Sequence, residues 1–597
     1  MNKRNPSKPI KFQRHFPYLL LIITALIFSN ALSNEFINLD DPEYVTKNDQ
    51  VQELSIESIQ AIFTTYTHGH YQPLAILTYA FDHALYGMNA LGFRVTNILL
   101  HLIAVLLAFF FLRRITGRPV VAALVTLLFA IHPMRVESVV WIAERKDVLY
   151  AVFFLAALLF YLNYLEKGRS ARFYLLTLLM FVLALFAKSM AVTLPVLLLL
   201  VDWYQKRKWS IRWITEKIPF FVLSIVFGVI VIRSQAASGL IEKSTDAYSF
   251  LEKILLTIYA SVIYIYKTII PSGTLFMTDY PDKVNGHLPY FFYIIPLVWL
   301  AIILVVIKFK KFQKELLFGL LFYLITVSVV LQIIPVSGYL WDHYTYIPSI
   351  GLLFILGQFY RYLDENRFAF ATRIKKPYTG ALMLLVVVSV ITTWNRNNTW
   401  ENSGTLFSEV IRLQPENESA YYNRGLYRLQ KNNYSKAITD FSQAITLRPQ
   451  QAEYYVNRAV ALRELGKKSD ALQDFNKAIK IEPDVKAFIE RGTLKANAGY
   501  HKQAIADFQA ALEINNHSDK AWNNLGLSYG KSGQYHKALK ALNKAIAINP
   551  QNASAYGNRG TVYFKTGQKN QACRDWQKSA RLGNRKSLQI FRKMCGK

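Results

Sequence analysis

Up to about Trp394 the chain is a succession of apolar runs, each near the ~20 residues that a helix needs to cross ~30 Å of hydrocarbon. The runs fall at 17–33, 93–112, 119–134, 148–165, 172–187, 190–204, 218–233, 290–307, 315–335, 346–362 and 378–394. That is about eleven crossings, and it predicts an all-α, polytopic membrane domain over residues 1–398. A further apolar stretch, 253–271, is ambiguous. The N-terminus reads basic and then apolar from Phe16 to Phe28, with no convincing cleavage site, so it is expected to be an uncleaved first span. Beyond Trp394 the sequence turns polar and periodic, and residues 399–597 form a second domain.

The formal net charge of +30 points first to nucleic acid, but the positions of the bases argue against it. Lys3 to Arg14, Arg113 to Arg118, Lys206 to Arg212, Lys308 to Lys314 and Arg367 to Lys376 flank apolar runs, where cations set orientation and meet anionic lipid headgroups. With the N-terminus inside, these clusters all fall inside only if 253–271 makes no net crossing. That stretch is therefore expected to be re-entrant or to lie along the interface; if it does span, another segment must drop out. An odd number of crossings puts the C-terminal domain outside the cytoplasm, on the face of loop 34–92. The length of that loop points to function.

After Pro415 a small residue recurs as Gly425, Ala459, Gly492, Gly526 and Gly560, in steps of 34, 33, 34 and 34. Ala437, Ala471, Ala504, Ala538 and Ala572 follow in register, and then Phe441, Phe475, Phe508, Leu542 and Trp576. Small residues let two antiparallel helices approach, and the bulky one fills the space between repeats. This is the tetratricopeptide pattern: five repeats, a degenerate half-repeat at 400–414 and a C-terminal capping helix. Such an array usually presents a groove to a peptide or protein; a passive spacer is the bland alternative. The two cysteines, Cys573 and Cys595, too few for a zinc pattern, fall on the last repeat helix and the cap. A disulfide is expected if that face is oxidising.

Charges near a membrane are costly and therefore candidates for function. Three groups fall on the expected outer face. The first is Asp40-Asp41, readable as a general base with its supporter, as a divalent-metal pair, or as an ordinary Asp-Asp-Pro turn. The second runs from His132 through Arg135 and Glu137 to Glu144, Arg145, Lys146 and Asp147. Its bases suit a lipid-linked phosphate, with the carboxylates orienting them; a solvated loop touching headgroups is the alternative. The third is Asp342-His343-Tyr344, beside Trp341. Lys188, in a tight turn between two short spans, is a further outward cation. Neither a Walker A loop nor a nucleotide-binding glycine fingerprint is present, and no serine hydrolase elbow is found.

Several of these residues carry a resemblance. Asn38-Leu39-Asp40-Asp41, Tyr71-Gln72-Pro73-Leu74, His132-Pro133 through Glu137, Glu144 through Leu149, and His343 through Gly351 lead by way of Trp400 and Leu406-Phe407 into repeats. Together they resemble the transmembrane and tetratricopeptide-repeat O-mannosyltransferase-like proteins of the C-type glycosyltransferase superfamily. Gln72 and His343 depart from the pattern, each standing where the family carries Arg. The resemblance implies transfer of a sugar, mannose in that family, from a polyprenyl-phosphate donor to a protein Ser/Thr hydroxyl. Asp40 would act as base, with Asp41 supporting it or binding a metal. Arg135, Arg145, Lys146, His132, Lys188 and His343 would stand at the donor phosphate, supported by Glu137, Glu144, Asp147, Asp342 and Tyr344. The repeats would hold the acceptor protein. A bacterial inner membrane with periplasmic repeats is the expected location. The rival reading is a non-enzymatic, membrane-anchored scaffold for envelope assembly or secretion.

Overall fold

Apolar runs become long helices in the membrane unit. The computed structural model describes residues 14–238, 248–271, 277–279, 283, 285–331, 339–366 and 369–596. Most of the Lys3–Arg14 cluster, Arg367 and the last four residues of the expected 315–335 span lie outside these. Contacts divide the chain into two units, Met1–Leu406 and Phe407–Lys597.

Among the described residues of the first unit, seven helices are long and apolar enough to cross a membrane: Phe16–Ser33, Ala90–Thr116, Ile142–Glu166, Ile211–Ala237, Phe291–Lys308, Gln313–Val330 and Ala371–Thr399. The other four expected spans are shorter or broken. The 119–134 run forms Pro119–Ile131 and Pro133–Val140, bent by 58°. The break is local chemistry: a proline disfavours helical backbone in the residue before it, and His132 is extended at φ −68, ψ 136. Ala171–Ala187, Ser189–Tyr204 and Ser349–Glu365 are the remaining short helices. The 253–271 stretch forms no re-entrant hairpin. It is one continuous helix, Phe250–Ile269, started by a reciprocal capping box between Ser249 and Glu252. Its buried face carries Leu256, Ala260 and Tyr264, and Glu252, Lys253 and Lys267 keep it out of the apolar set.

The Ala90–Thr116 helix is central to this unit. It packs against Phe16–Phe28, Pro119–Ile131 and Arg145–Glu166. Elsewhere two helices meet backbone to backbone. A Cβ on Gly351 would lie 2.5 Å from the Gly319 carbonyl oxygen, and one on Gly319 would lie 2.6 Å from that of Gly351. Small residues give membrane helices this closeness. A short antiparallel pair, Met277–Asp279 with Tyr339–Trp341, leads directly into Asp342 and His343.

The second unit is a stack of helix pairs: Glu418–Gln430 with Tyr434–Leu447, Ala452–Glu464 with Lys468–Ile481, Val485–Asn497 with His501–Ile514, Asp519–Lys531 with Tyr535–Ile548, and Ala553–Lys565 with Lys569–Arg581. Arg585–Met594 closes the array. Asn417, Asp484, Ser518 and Asn552 cap four of the first helices by accepting from backbone N–H groups. The register glycines work as expected. A Cβ on Gly425 would lie 2.6 Å from the Phe441 ring, and one on Gly526 2.6 Å from Leu542.

Cys573 and Cys595 form a disulfide across 22 positions, joining the last repeat to the closing helix. Loop-closure entropy puts the contribution of such a link at roughly 3 kcal/mol. The paired change Cys573→Ser/Cys595→Ser should therefore lower the denaturant midpoint of the repeat unit in the full-length protein. An unchanged midpoint would mean that helix packing alone holds the closing helix.

Candidate functional site

The three sequence clusters meet, with Lys188, in one connected group of charges. It begins in the loop after the first span. Asp41 is 1% exposed and holds two backbone N–H groups: Ile37 N donates to Oδ2 at 2.8 Å, and Ala143 N to Oδ1 at 2.9 Å. Burial pushes its carboxyl up to about 7, against the pull of the Ile37 N–H, the Arg94 guanidinium and the Ala143 N–H. Asp41 thus ties the first loop to the 141–144 segment, with both oxygens occupied.

Asp40 is different. Its carboxylate is half-buried and has no hydrogen bond or ion pair among the described residues. Burial raises it above the usual carboxylate value, and the nearby Lys146 ammonium opposes the rise. Lys146 donates to Glu144 Oε1 at 2.8 Å, and its Nζ lies 4.9 Å from the centre of the Tyr44 ring. Lys188 pairs with Asp147, lies 3.8 Å from Glu144 Oε2, and stands 5.5 Å from the centre of the Tyr344 ring.

His343 extends the chain. Its backbone N–H and its Nδ1 both face Glu137 Oε2, at 2.9 and 3.0 Å. Burial and the Lys188 charge hold its pKa well below the usual histidine value, so the ring is neutral. With Nδ1–H donating to Glu137, Nε2 is left as an acceptor, 3.6 Å from Glu144 Oε2. That carboxylate oxygen is buried without a hydrogen-bond partner. Two acceptors thus face one gap, which suits a donor such as a sugar or protein hydroxyl. Beyond Glu137, Arg396 contacts both Glu137 Oε1 at 3.5 Å and Asp342 Oδ2 at 2.9 Å, and Lys267 donates to Asp342 Oδ1 at 2.8 Å. Burial alone would raise the Asp342 carboxyl; the Lys267 and Arg396 charges overcome it and hold it below the usual value.

Of the other expected phosphate ligands, Arg145 and His132 make buried contacts of their own and Arg135 does so only in part. Arg145 is wholly buried and spends its guanidinium on Asp82, Asn97 Oδ1 and the Phe93 carbonyl. Arg135 donates to Thr345 Oγ1 at 2.9 Å and lies over the rings of Tyr346 and Phe129, its Nε and Nη1 without hydrogen bonds. His132 uses one ring nitrogen toward the Thr268 carbonyl at 3.1 Å and the other to accept from Met134 N at 3.3 Å. Arg145 and His132 make buried links here; Lys146 is the cation that acts on Asp40, and Lys188 stands beside Asp147 and Glu144.

The sequence reading did not single out Arg396, Lys267 or Tyr44. Arg396 had a signal, since it ends the last apolar helix, where a buried cation is rare. Asp41 turns both oxygens to the Ile37 and Ala143 N–H groups. Glu144, Asp147 and His343 group at ligand-like spacing, with Lys146 and Lys188 paired to the two carboxylates.

A many-helix membrane unit with a buried ionic network, followed by tetratricopeptide repeats, defines a multi-pass membrane protein with a repeat domain. Residues 70–233 match the dolichyl-phosphate-mannose-protein mannosyltransferase family, and residues 397–452, 422–486, 519–552 and 541–574 match tetratricopeptide-repeat families. Over much of its length the chain is similar to protein O-mannosyl-transferases. One, from Caenorhabditis elegans, is 22% identical over 464 residues, covering 73% of this chain and 64% of that protein. Human TMTC4 is 22% identical over 498 residues, covering 70% and 64%. Human TMTC1 is 32% identical over 161 residues, covering 25% and 18%. The chain thus spans under two thirds of the length of these relatives.

Proposed function

We propose that this protein is a membrane glycosyltransferase that moves a sugar, mannose by the naming of its relatives, from a polyprenyl-phosphate donor to a hydroxyl of an acceptor protein. The observation that carries the reading is Asp40: an unpaired, half-buried carboxylate beside an ammonium group. A carboxylate so placed accepts a proton from an incoming hydroxyl. The deprotonated oxygen attacks the anomeric carbon, the bond to the lipid phosphate breaks, and the phosphate leaves with the electron pair. Lys146 and Lys188 supply positive charge for that leaving group. His343 Nε2 and Glu144 Oε2 accept from hydroxyls and so orient the sugar or the acceptor. The chemistry faces the side of loop 34–92, the outer face by the positive-inside pattern, and on this reading the membrane is a bacterial inner membrane. The repeats hold the acceptor and raise its local concentration.

The test is transfer of labelled mannose from polyprenyl-phosphate mannose to Ser/Thr peptides by the purified protein in lipid nanodiscs. Absence of transfer to any peptide or protein acceptor would remove the reading. The pH profile adds a sharper check. The base must be ionised to act, and burial raises its pKa above 3.8, so the rate should fall as pH drops through a midpoint above 3.8. Lys146 holds that midpoint down, so Lys146→Met should move the acid limb to higher pH as well as slowing transfer. An acid limb that stays in place would separate Lys146 from Asp40.

A further inference from the structure

Four of the five repeats share a clamp that the fourth lacks. The residue before each register position is Arg424, Arg458, Arg491, Leu525 or Arg559. Each arginine donates two bonds to an aspartate on its own second helix. Arg424 grips Asp440 at 3.1 and 2.8 Å, and Arg458 grips Asp474 at 2.7 and 2.7 Å. Arg491 grips Asp507 at 3.2 and 2.6 Å, and Arg559 grips Asp575 at 2.7 and 2.8 Å. The remaining guanidinium nitrogen reaches the second helix of the preceding pair: Ser408 at 3.1 Å, Ser442 at 3.0 Å, Asn476 at 2.7 Å and Asn543 at 2.7 Å. Each clamp therefore fills and bridges the groove between neighbouring second helices. In the fourth repeat the arginine is replaced by Leu525 and the aspartate by Ala541.

A cavity of about 550 Å³ opens at that place. It lies between helices His501–Ile514 and Tyr535–Ile548, with Asp519–Lys531 at its base. Leu512, Trp522, Leu525, Tyr529 and Ala541 give it an apolar lining. Gln509, the neighbour a clamp arginine would have met, is exposed and lies on its wall. Lys537, Lys540 and Lys544 stand exposed along one rim, at the i, i+3, i+7 spacing of one helix face. Tyr535–Ile548 carries no acidic residue to neutralise them, and Glu513 is the one acid on the lining.

We propose that the missing clamp makes this groove a docking pocket for an acidic peptide segment of a partner protein. A bulky apolar side chain would fill the cavity and flanking carboxylates would meet the lysine rim. An apolar anchor in a desolvated pocket supplies most of the affinity in such contacts, and the charges supply orientation and salt dependence. The site lies between second helices, separate from the surface formed where the first helices pack on one another. It stands whether or not the membrane unit transfers sugar.

The experiment uses the full-length protein in nanodiscs of neutral lipid and a fluorescein-labelled synthetic peptide with one Phe flanked by Glu, read by anisotropy. Binding is expected, weakening as salt rises. Changing the peptide Phe to Ala, or its Glu to Lys, should weaken it roughly tenfold or more. The decisive variant rebuilds the clamp: Leu525→Arg/Ala541→Asp restores the pair with which four other repeats fold, and should abolish binding. Should that variant misfold by circular dichroism, the surface variant Lys540→Glu/Lys544→Glu replaces it, with the same loss expected. No binding by the wild-type protein, binding that either folded variant leaves intact, or capture of phosphatidylglycerol vesicles in place of the peptide would each overturn the proposal.

Discussion

Asp40→Asn should abolish sugar transfer while leaving the protein folded. The expected loss is roughly 10²- to 10⁴-fold, the range for removal of a positioned general base. The folded protein should tolerate the change because no hydrogen bond or ion pair of the Asp40 carboxylate is broken. Asparagine is nearly isosteric, and it removes a charge whose burial is already unfavourable. Its melting temperature should match or slightly exceed that of the parent. The measurement is initial rate with saturating donor, alongside a thermal melt of the same sample. Transfer at the parental rate from a folded Asp40→Asn protein would exclude Asp40 as the base and return attention to the scaffold reading. A lost rate with a lowered melting temperature would instead give Asp40 a structural role that its surroundings do not suggest.

The repeat unit was open to sequence reading because its signals are short-range. Gly425 to Gly560 and their bulky partners recur within one helix pair, so the period alone places each in space. The replacement of the Arg–Asp clamp by Leu525 and Ala541 belongs to the same register and is visible once the repeats are aligned. The membrane helices were legible as apolar runs, yet their ends were not. Pro133 breaks a run that composition alone reads as continuous, and the parity of the positive clusters left open what is the regular helix Phe250–Ile269.

Which residues form the site was harder, for a geometric reason. Successive residues on a helix point about 100° apart, so a run of bases cannot all face one way. Arg145 turns into the bundle toward Asp82, while Lys146, the next residue, turns toward Asp40 and Glu144. Charge density identified the region, and helix rotation decided which member serves it. Arg396 and Lys267 come from helices more than a hundred positions along the chain from Glu137, and only tertiary packing brings them to Asp342 and its neighbours.

The same division separates the two adjacent aspartates, and Asp41 carries the opposite expectation. Asp41→Asn should lower stability by about 1–3 kcal/mol, the cost of one buried N–H left without an acceptor. An asparagine supplies one oxygen and one NH₂ group where Ile37 N and Ala143 N both need acceptors. One N–H would keep its bond and the other would face a second donor. Loss of the bond to Ala143 would also free the first loop from the 141–144 segment, so Asp40 would lose its fixed position beside Lys146. Transfer should then fall as well, but together with the melting temperature and the protease resistance of loop 34–92. Lower temperature should recover part of the Asp41→Asn activity, because it repopulates the ordered loop. It should recover none for Asp40→Asn, where the acceptor of the proton is gone at every temperature. An Asp41→Asn protein as stable as the parent but inactive would place Asp41 in the chemistry itself, and the assignment of base and clamp would have to be reversed.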